Sequence, residues 1–303
     1  MSPALLVDPD AGRLAEASER WQAPGTHDAF EHLSEFDVAI VAVPHHLHAK
    51  LCGALLAAEK HVLVEKPLAT NGDDARALVE AEARASATLH VGHNRRFLAI
   101  NAWLRRLVLE RPLGDLQRVT LQEGVVDFWQ ASTDTHLRRE SAGGGVLLGI
   151  GVHALDVLRW WLGELSVEEY RDDSRGGIEA NASLQLTTAS GIPVSLELSR
   201  VRDLANTVRL EFSGGTVVAS LHFNLVSECP RLSRTMRPPQ QQQSFEDMFV
   251  AQLQSWLDGL DGTPTEVVTA QDAAATIELV QACYASRQAL RFPWSYETVA
   301  KPS

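Results

Sequence analysis

The run HVLVEKPLA places Lys66 at the end of an apolar stretch, between Glu65 and Pro67. A lysine at the carboxyl end of a parallel strand stands where open α/β sheets bind their ligands. Pro67 fixes the turn that follows, through a trans or a cis peptide, and so aims the ammonium. The spacing fits a surface lysine beside a strand-ending proline as well. A second constellation lies in GGGVLLGIGVHALDVLRWWLG, residues 143–163. There His153 and Asp156 share one face of a helix whose apolar surface is Val146, Leu147, Ile150, Leu155, Leu158 and Trp161. An imidazole titrates near neutral pH and can move a proton, and an amine can serve as a nucleophile or base. The same helical pattern also fits a satisfied core histidine.

Two kinds of element must position these groups. Up to about residue 98, short apolar runs alternate with helical patterns: ALLV, DVAIVAV, HVLVE and TLHVGH read as strands, and DPDAGRLAEASERW, AFEHLSE, HLHAKLCGALLAAE and DDARALVEAEARAS as helices. This alternation predicts a parallel, doubly wound sheet, with DVAIVAV apolar on both faces like a central strand. Asp8 caps the first helix, with Pro9 in its first turn. Beyond INAWLRRLVLERPLGD the pattern changes to period-two alternation in LQRVTLQEGVV, IEANASLQLTTAS, IPVSLELSR, NTVRLEFSG and GTVVASLHF. These strands, joined by glycine-containing turns, predict a large, mostly antiparallel open sheet. Long helices are expected near 146–162, 246–261 and 270–288. The division is therefore a nucleotide-type domain over 1–98 and a substrate and assembly domain over 99–303.

VAVPHHLHAKLCGALLAAEKHVLVEKPLA, VGHNRRF and the glycine-rich helix, in this order and at these separations, resemble the glucose–fructose oxidoreductase / inositol dehydrogenase (Gfo/Idh/MocA) family from Leu5 to about Arg291. The resemblance implies a Rossmann-like domain and an NAD(P)-dependent oxidoreductase of sugars, cyclitols and related hydroxy or carbonyl compounds. It implies that Lys66 polarises the substrate oxygen and that His153 is the general acid/base, since hydride transfer from an alcohol carbon requires removal of the hydroxyl proton. Pro44, His48, Glu65 and Pro67 match the cofactor crevice. Asp8 matches an acidic residue that bonds the adenosine ribose and favours NAD over NADP, and helix capping competes for it. Arg95, Arg96, Trp129 and Asp156 fall on the substrate side, with Arg200 and Arg202 at strand ends. Trp129 and Phe128 suit either stacking on a sugar or packing at an interface. A homodimer or homotetramer through the second sheet is implied too.

Two positions depart from the family pattern. The chain reads as N-terminally truncated relative to the family, with the first strand, the G-x-G-x-x-G turn and the first helix absent. The missing strand is central, so its loss separates ALLV from DVAIVAV and exposes apolar side chains. An upstream start, direct pairing of the two halves, or a partner's strand would each relieve the gap. The second departure is Gly149, four residues before His153, where the family usually carries Asp. Together they support an alternative: a cofactor-deficient, non-catalytic relative acting as a ligand-binding or partner subunit.

Composition narrows the field. A formal charge of −12 with scattered arginines argues against nucleic-acid or anionic-membrane binding by bulk charge. Cys52, Cys229 and Cys283 lack metal-ligand spacing and fit a reducing compartment. With no leader pattern and no apolar run near the ~20 residues of a membrane span, the expected location is cytoplasmic.

Overall fold

The computed structural model describes residues 3–126, 138–174, 177–221, 225–240 and 243–290. The chain opens with β1 (Leu6–Val7), α1 (Ala11–Trp21) and β2 (Gly25–Thr26), where β1 and β2 pair in parallel. Next come β3 (Val38–Val41), α2 (His48–Ala57), β4 (His61–Glu65), α3 (Gly72–Arg84) and β5 (Leu89–Gly92). β3, β4 and β5 form a parallel sheet, as the alternation predicts. Asn71 caps α3 by accepting from the Asp74 backbone N–H, and Asp73 and Asp74 in the first turn face the positive end of the helix.

After α4 (Ala99–Glu110) and β6 (Leu116–Gly124) come α5 (Arg139–Ala142), a π turn (Leu147–Gly151) and α6 (Val152–Leu162). The second sheet continues with β7 (Leu165–Asp172), β8 (Asn181–Thr188), β9 (Pro193–Ser199), β10 (Thr207–Phe212), β11 (Gly215–Ser220) and β12 (Val226–Glu228). α7 (Phe245–Leu260), β13 (Val268–Thr269), α8 (Ala270–Ala285) and β14 (Gln288–Ala289) follow. The eight strands lie in the order β12-β11-β10-β6-β9-β8-β7-β14, antiparallel except for β6 with β9 and β7 with β14. Alternate residues such as Leu184, Leu186, Val194, Leu196, Val208 and Leu210 are buried in one core with α4, α6 and α8. The opposite face carries Ser183, Gln185, Ser195, Glu197, Arg209 and Glu211. The stretch Arg139–Leu162 is long and apolar enough to cross a membrane, contrary to the sequence reading, but it is mostly buried inside the protein.

β4 is the spine of the first sheet. Val62 and Val64 enter the main core with Cys52 and Leu56, while Leu63 on the opposite face meets Trp256 of α7 and Val267. β13 also pairs antiparallel with β5. The far end of the chain therefore completes the sheet built by its beginning.

Three expectations need correction. β3 is an edge strand in the order β13-β5-β4-β3, not a central one, so Val38 is 36% and Ile40 59% exposed. The β1–β2 pair forms its own sheet, so the two halves do not pair directly. The cap of α1 is Asp10, which accepts from the Arg13 backbone N–H; Asp8 instead accepts from the Asp10 N–H and ion-pairs with Arg13 at 3.0 Å.

Burial decides what truncation costs on β3 and β4. Leu63→Ala should lower unfolding free energy by about 2–5 kcal/mol, whereas Ile40→Ala should change it by less than about 1 kcal/mol. Urea titrations of both variants check this, and equal losses would contradict the edge position of β3.

Candidate functional site

The ends of β3, β4 and β5 lie along one edge of the sheet, and β4 presents Glu65, Lys66 and Pro67 there, with a cis peptide between the last two. Lys66 Nζ donates to the Gly149 carbonyl at 2.8 Å. That carbonyl belongs to the π turn immediately before α6, and π turns often mark functional sites because they re-aim the backbone. Burial pulls the Lys66 ammonium down to about 8; Glu65 opposes the shift, and the charges of Arg95 and Arg200 reinforce it. Burial in turn raises the Glu65 carboxyl above its ordinary value.

The imidazole of His153 stands one helical turn beyond Gly149. Its Nδ1 is buried without a hydrogen-bond partner in the protein. Burial lowers its pKa well below the ordinary value, and the Lys66, Arg95 and His93 charges add to the effect. Burial therefore favours the neutral imidazole, whose Nδ1 has no partner within the protein. His93, after β5, packs edge-to-face on it with ring centroids 5.7 Å apart. His93 is itself 1% exposed, burial brings it down to about 4, and its Nδ1 also lacks a hydrogen-bond partner. The structure thus brings Lys66 and His153 to one place.

Arg95, Arg96 and Asp156 were expected on the substrate, but they are engaged inside the protein. Arg95 forms a two-pronged pair with buried Glu123 at 2.8 and 2.5 Å. Arg96 grips both carboxylate oxygens of Asp156 at 3.0 and 2.8 Å, and Asp156 is 0% exposed. Arg96 also lies over the Trp160 ring. Asp156 thus fastens the β5 end to α6 and does not orient His153. Trp129 and Phe128 lie outside the described residues.

On the cofactor side, Pro44 precedes a short turn at the end of β3, on the same edge as Lys66. His48 is fully buried, with its ring nitrogens facing the Pro67 and Val43 carbonyls at 2.7 and 2.9 Å. It ties the ends of β3 and β4 together and has no nitrogen left for a ligand. Glu65 Oε2 accepts from the Lys66 backbone N–H, and Gly92 leaves room for the Glu65 carboxyl. The orphaned Nδ1 of His153 near Lys66 fits a substrate hydroxyl held against a nicotinamide ring, whereas the His93 Nδ1 lies 3.8 Å from Asp156 Oδ2. The N-terminus of α1 is held by Asp8 and Asp10, and α1 follows the strand where the resemblance places a ribose-bonding acid, not the diphosphate turn. Among the described residues, no group of three or more His, Cys, Asp or Glu is placed to hold a metal.

His93, Glu123 and the Gly149 carbonyl belong to the site and were not singled out from sequence. His93 sits in the quoted VGHNRRF run, but only its packing on α6 reveals it. Glu123 reads as one alternating position of β6, and nothing in that pattern marks it as the partner of Arg95.

Comparison with known proteins agrees with this architecture. Residues 2–93 match the oxidoreductase family's NAD-binding Rossmann fold, and residues 105–294 match its C-terminal alpha/beta domain. The chain is 28% identical over 297 residues to inositol 2-dehydrogenase 2 of Saccharopolyspora erythraea, covering 92% of this chain and 84% of that one. Its fold is similar to the aldose-aldose oxidoreductase of Caulobacter crescentus complexed with glycerol, with a TM-score of 0.81 and 23% identity over 93% of this chain and 88% of the other. It is also similar to a levoglucosan dehydrogenase in complex with NADH and levoglucosan, with a TM-score of 0.79 and 19% identity over 94% and 88% of the two chains. With both domains matched along nearly its whole length, the chain belongs to the Gfo/Idh/MocA family of oxidoreductases.

Proposed function

We propose that the chain is an NAD(P)-dependent oxidoreductase of a sugar or cyclitol in which Lys66 polarises the substrate oxygen and His153 is the general acid/base. The observation that carries this reading is the hydrogen bond from Lys66 Nζ to the Gly149 carbonyl, one turn from an unpartnered, neutral His153. When bound, the dinucleotide gives or takes the hydride. During oxidation the hydroxyl proton passes to the neutral imidazole, and the Lys66 ammonium holds the developing alkoxide. The Gly149 carbonyl fixes one of the three ammonium protons and leaves two for the substrate oxygen and its surroundings. Asp8, at the end of β1, favours NAD because a carboxylate accepts from ribose hydroxyls and repels a 2′-phosphate. The protein assembles as a homodimer or homotetramer through the polar outer face of the eight-stranded sheet, since its apolar face is covered by the chain's own helices.

A second reading, a relative that has lost the dinucleotide, is favoured by Gly149 standing where the family usually carries Asp. Titration with NADH, followed by cofactor fluorescence, separates the two. A saturable change is expected, and a flat response would leave the second reading standing.

The site's electrostatics set the pH dependence. In the alcohol-oxidation direction, kcat/KM should stay high down to well below pH 6.5 and fall as Lys66 loses its proton near pH 8. Lys66→Met should lower kcat/KM by about 100-fold or more. Lys66→Arg should retain measurable activity without the falling limb, because guanidinium does not titrate there.

Stability should move the opposite way. Below pH 8 both folded and unfolded chains carry the Lys66 charge, so its burial penalty is present in full. Between about 8 and the ordinary 10.5 the folded chain gives up its proton first, and stability rises with pH. Lys66→Met should therefore be more stable than the wild type at pH 7 by a few kcal/mol, at about 1.4 kcal/mol per unit of pKa, and the gap should close above pH 10. Denaturant curves across that range measure it, and a variant less stable at pH 7 would refute the buried-charge account.

A further inference from the structure

We propose that the substrate carries a carboxylate, a sugar acid and not a neutral sugar, and that it is bound by Arg200, whose guanidinium takes the room a side chain at 149 would need. The proposal rests on the oxidoreductase reading of the same site and specifies its substrate class.

Arg200 follows β9, and its backbone N–H is anchored to the Ala180 carbonyl at 2.9 Å. β9 packs against the π turn that carries Gly149. A Cβ built on Gly149 would collide with Arg200 Nη2, so the guanidinium occupies the volume of a side chain at 149. Its charge also acts on Lys66, which places both cations around the Gly149 carbonyl.

The neighbouring arginines each have a carboxylate of their own: Arg95 has Glu123, Arg96 has Asp156, and Arg202 has Glu197 at 3.1 Å. Arg200 is the exception among these four. Its Nε is buried without a hydrogen-bond partner, and no carboxylate among the described residues lies within ion-pair distance. A guanidinium Nε–H left buried without an acceptor is costly, and a bidentate carboxylate relieves that cost through two parallel N–H···O bonds. The hydroxyls of a neutral sugar can serve Lys66 and His153 and can accept from Arg200 as well, but they bring no charge to set against the guanidinium. The family pattern puts an acidic side chain at position 149. In this chain the negative charge at that spot would arrive with the ligand.

The test compares acids with their neutral counterparts: D-glucuronate with D-glucose, D-galacturonate with D-galactose, and D-gluconate with D-sorbitol. Binding is read by isothermal titration on the full chain, with and without NADH, and turnover is read separately by NADH absorbance. For at least one pair, the acid should bind about 10-fold or more tightly than its neutral counterpart. That ratio should fall toward one in Arg200→Gln. Gly149→Ala should do the same while keeping every charge and favouring the helix, which controls for loss of fold in the first variant. A ratio near one for all three pairs in the wild type, or a ratio that survives both substitutions, overturns the proposal. An Arg200-dependent preference with no turnover would sustain it while the oxidoreductase reading failed. Turnover of neutral sugars with no acid preference would do the reverse.

Discussion

One hydrogen bond joins the two halves of this protein where they matter. Lys66 comes from the end of a parallel strand, Gly149 from the turn before a long core helix, and the ammonium of one donates to the carbonyl of the other. Forming that contact requires a lysine to leave water, which is why its proton is loosely held. The surrounding polar groups follow from the same constraint. Glu65 accepts from the Lys66 backbone N–H, Glu123 neutralises Arg95, and Asp156 neutralises Arg96, so both arginines inside the interface are balanced. The imbalance that remains lies at Lys66 and Arg200, which meet at Gly149.

Burial also divides the histidines by task. His48 is locked between two strand ends, His93 serves as a packing surface, and His153 keeps an unpartnered nitrogen next to the amine. All three are lowered by desolvation, so titration alone would not distinguish them. What separates them is what each ring already meets: two carbonyls for His48, the Asp156 carboxylate at 3.8 Å for His93, and neither for the His153 Nδ1.

Much of this was legible in the sequence. The alternation of apolar runs and helical patterns revealed the parallel sheet. Period-two alternation revealed five strands of the second sheet, and the pairing of Glu65-Lys66-Pro67 with a His-bearing, glycine-rich helix pointed to the site. Local pattern failed where a residue's role depends on what lies across the fold. DVAIVAV has the composition of a central strand, yet no strand of the described residues borders it on the outside. Asp8 and Asp10 are equivalent as caps by composition, and the ion pair of Asp8 with Arg13 settles which one caps. Arg96 and Asp156 look like ligand-binding groups until their mutual contact is seen, because no short-range rule connects a strand end to a helix sixty residues later.

Trp256 under Leu63 and Val268 beside Val91 have a consequence for the order of assembly. The first sheet reads as an early, local unit, but one of its faces and one of its edges are finished by residues translated long after it. A nascent chain emerging from the ribosome holds that sheet with an apolar face uncovered until α7 and β13 follow it out. Contacts of such large sequence separation slow the final docking and lengthen the interval in which a chaperone would find a hydrophobic handle.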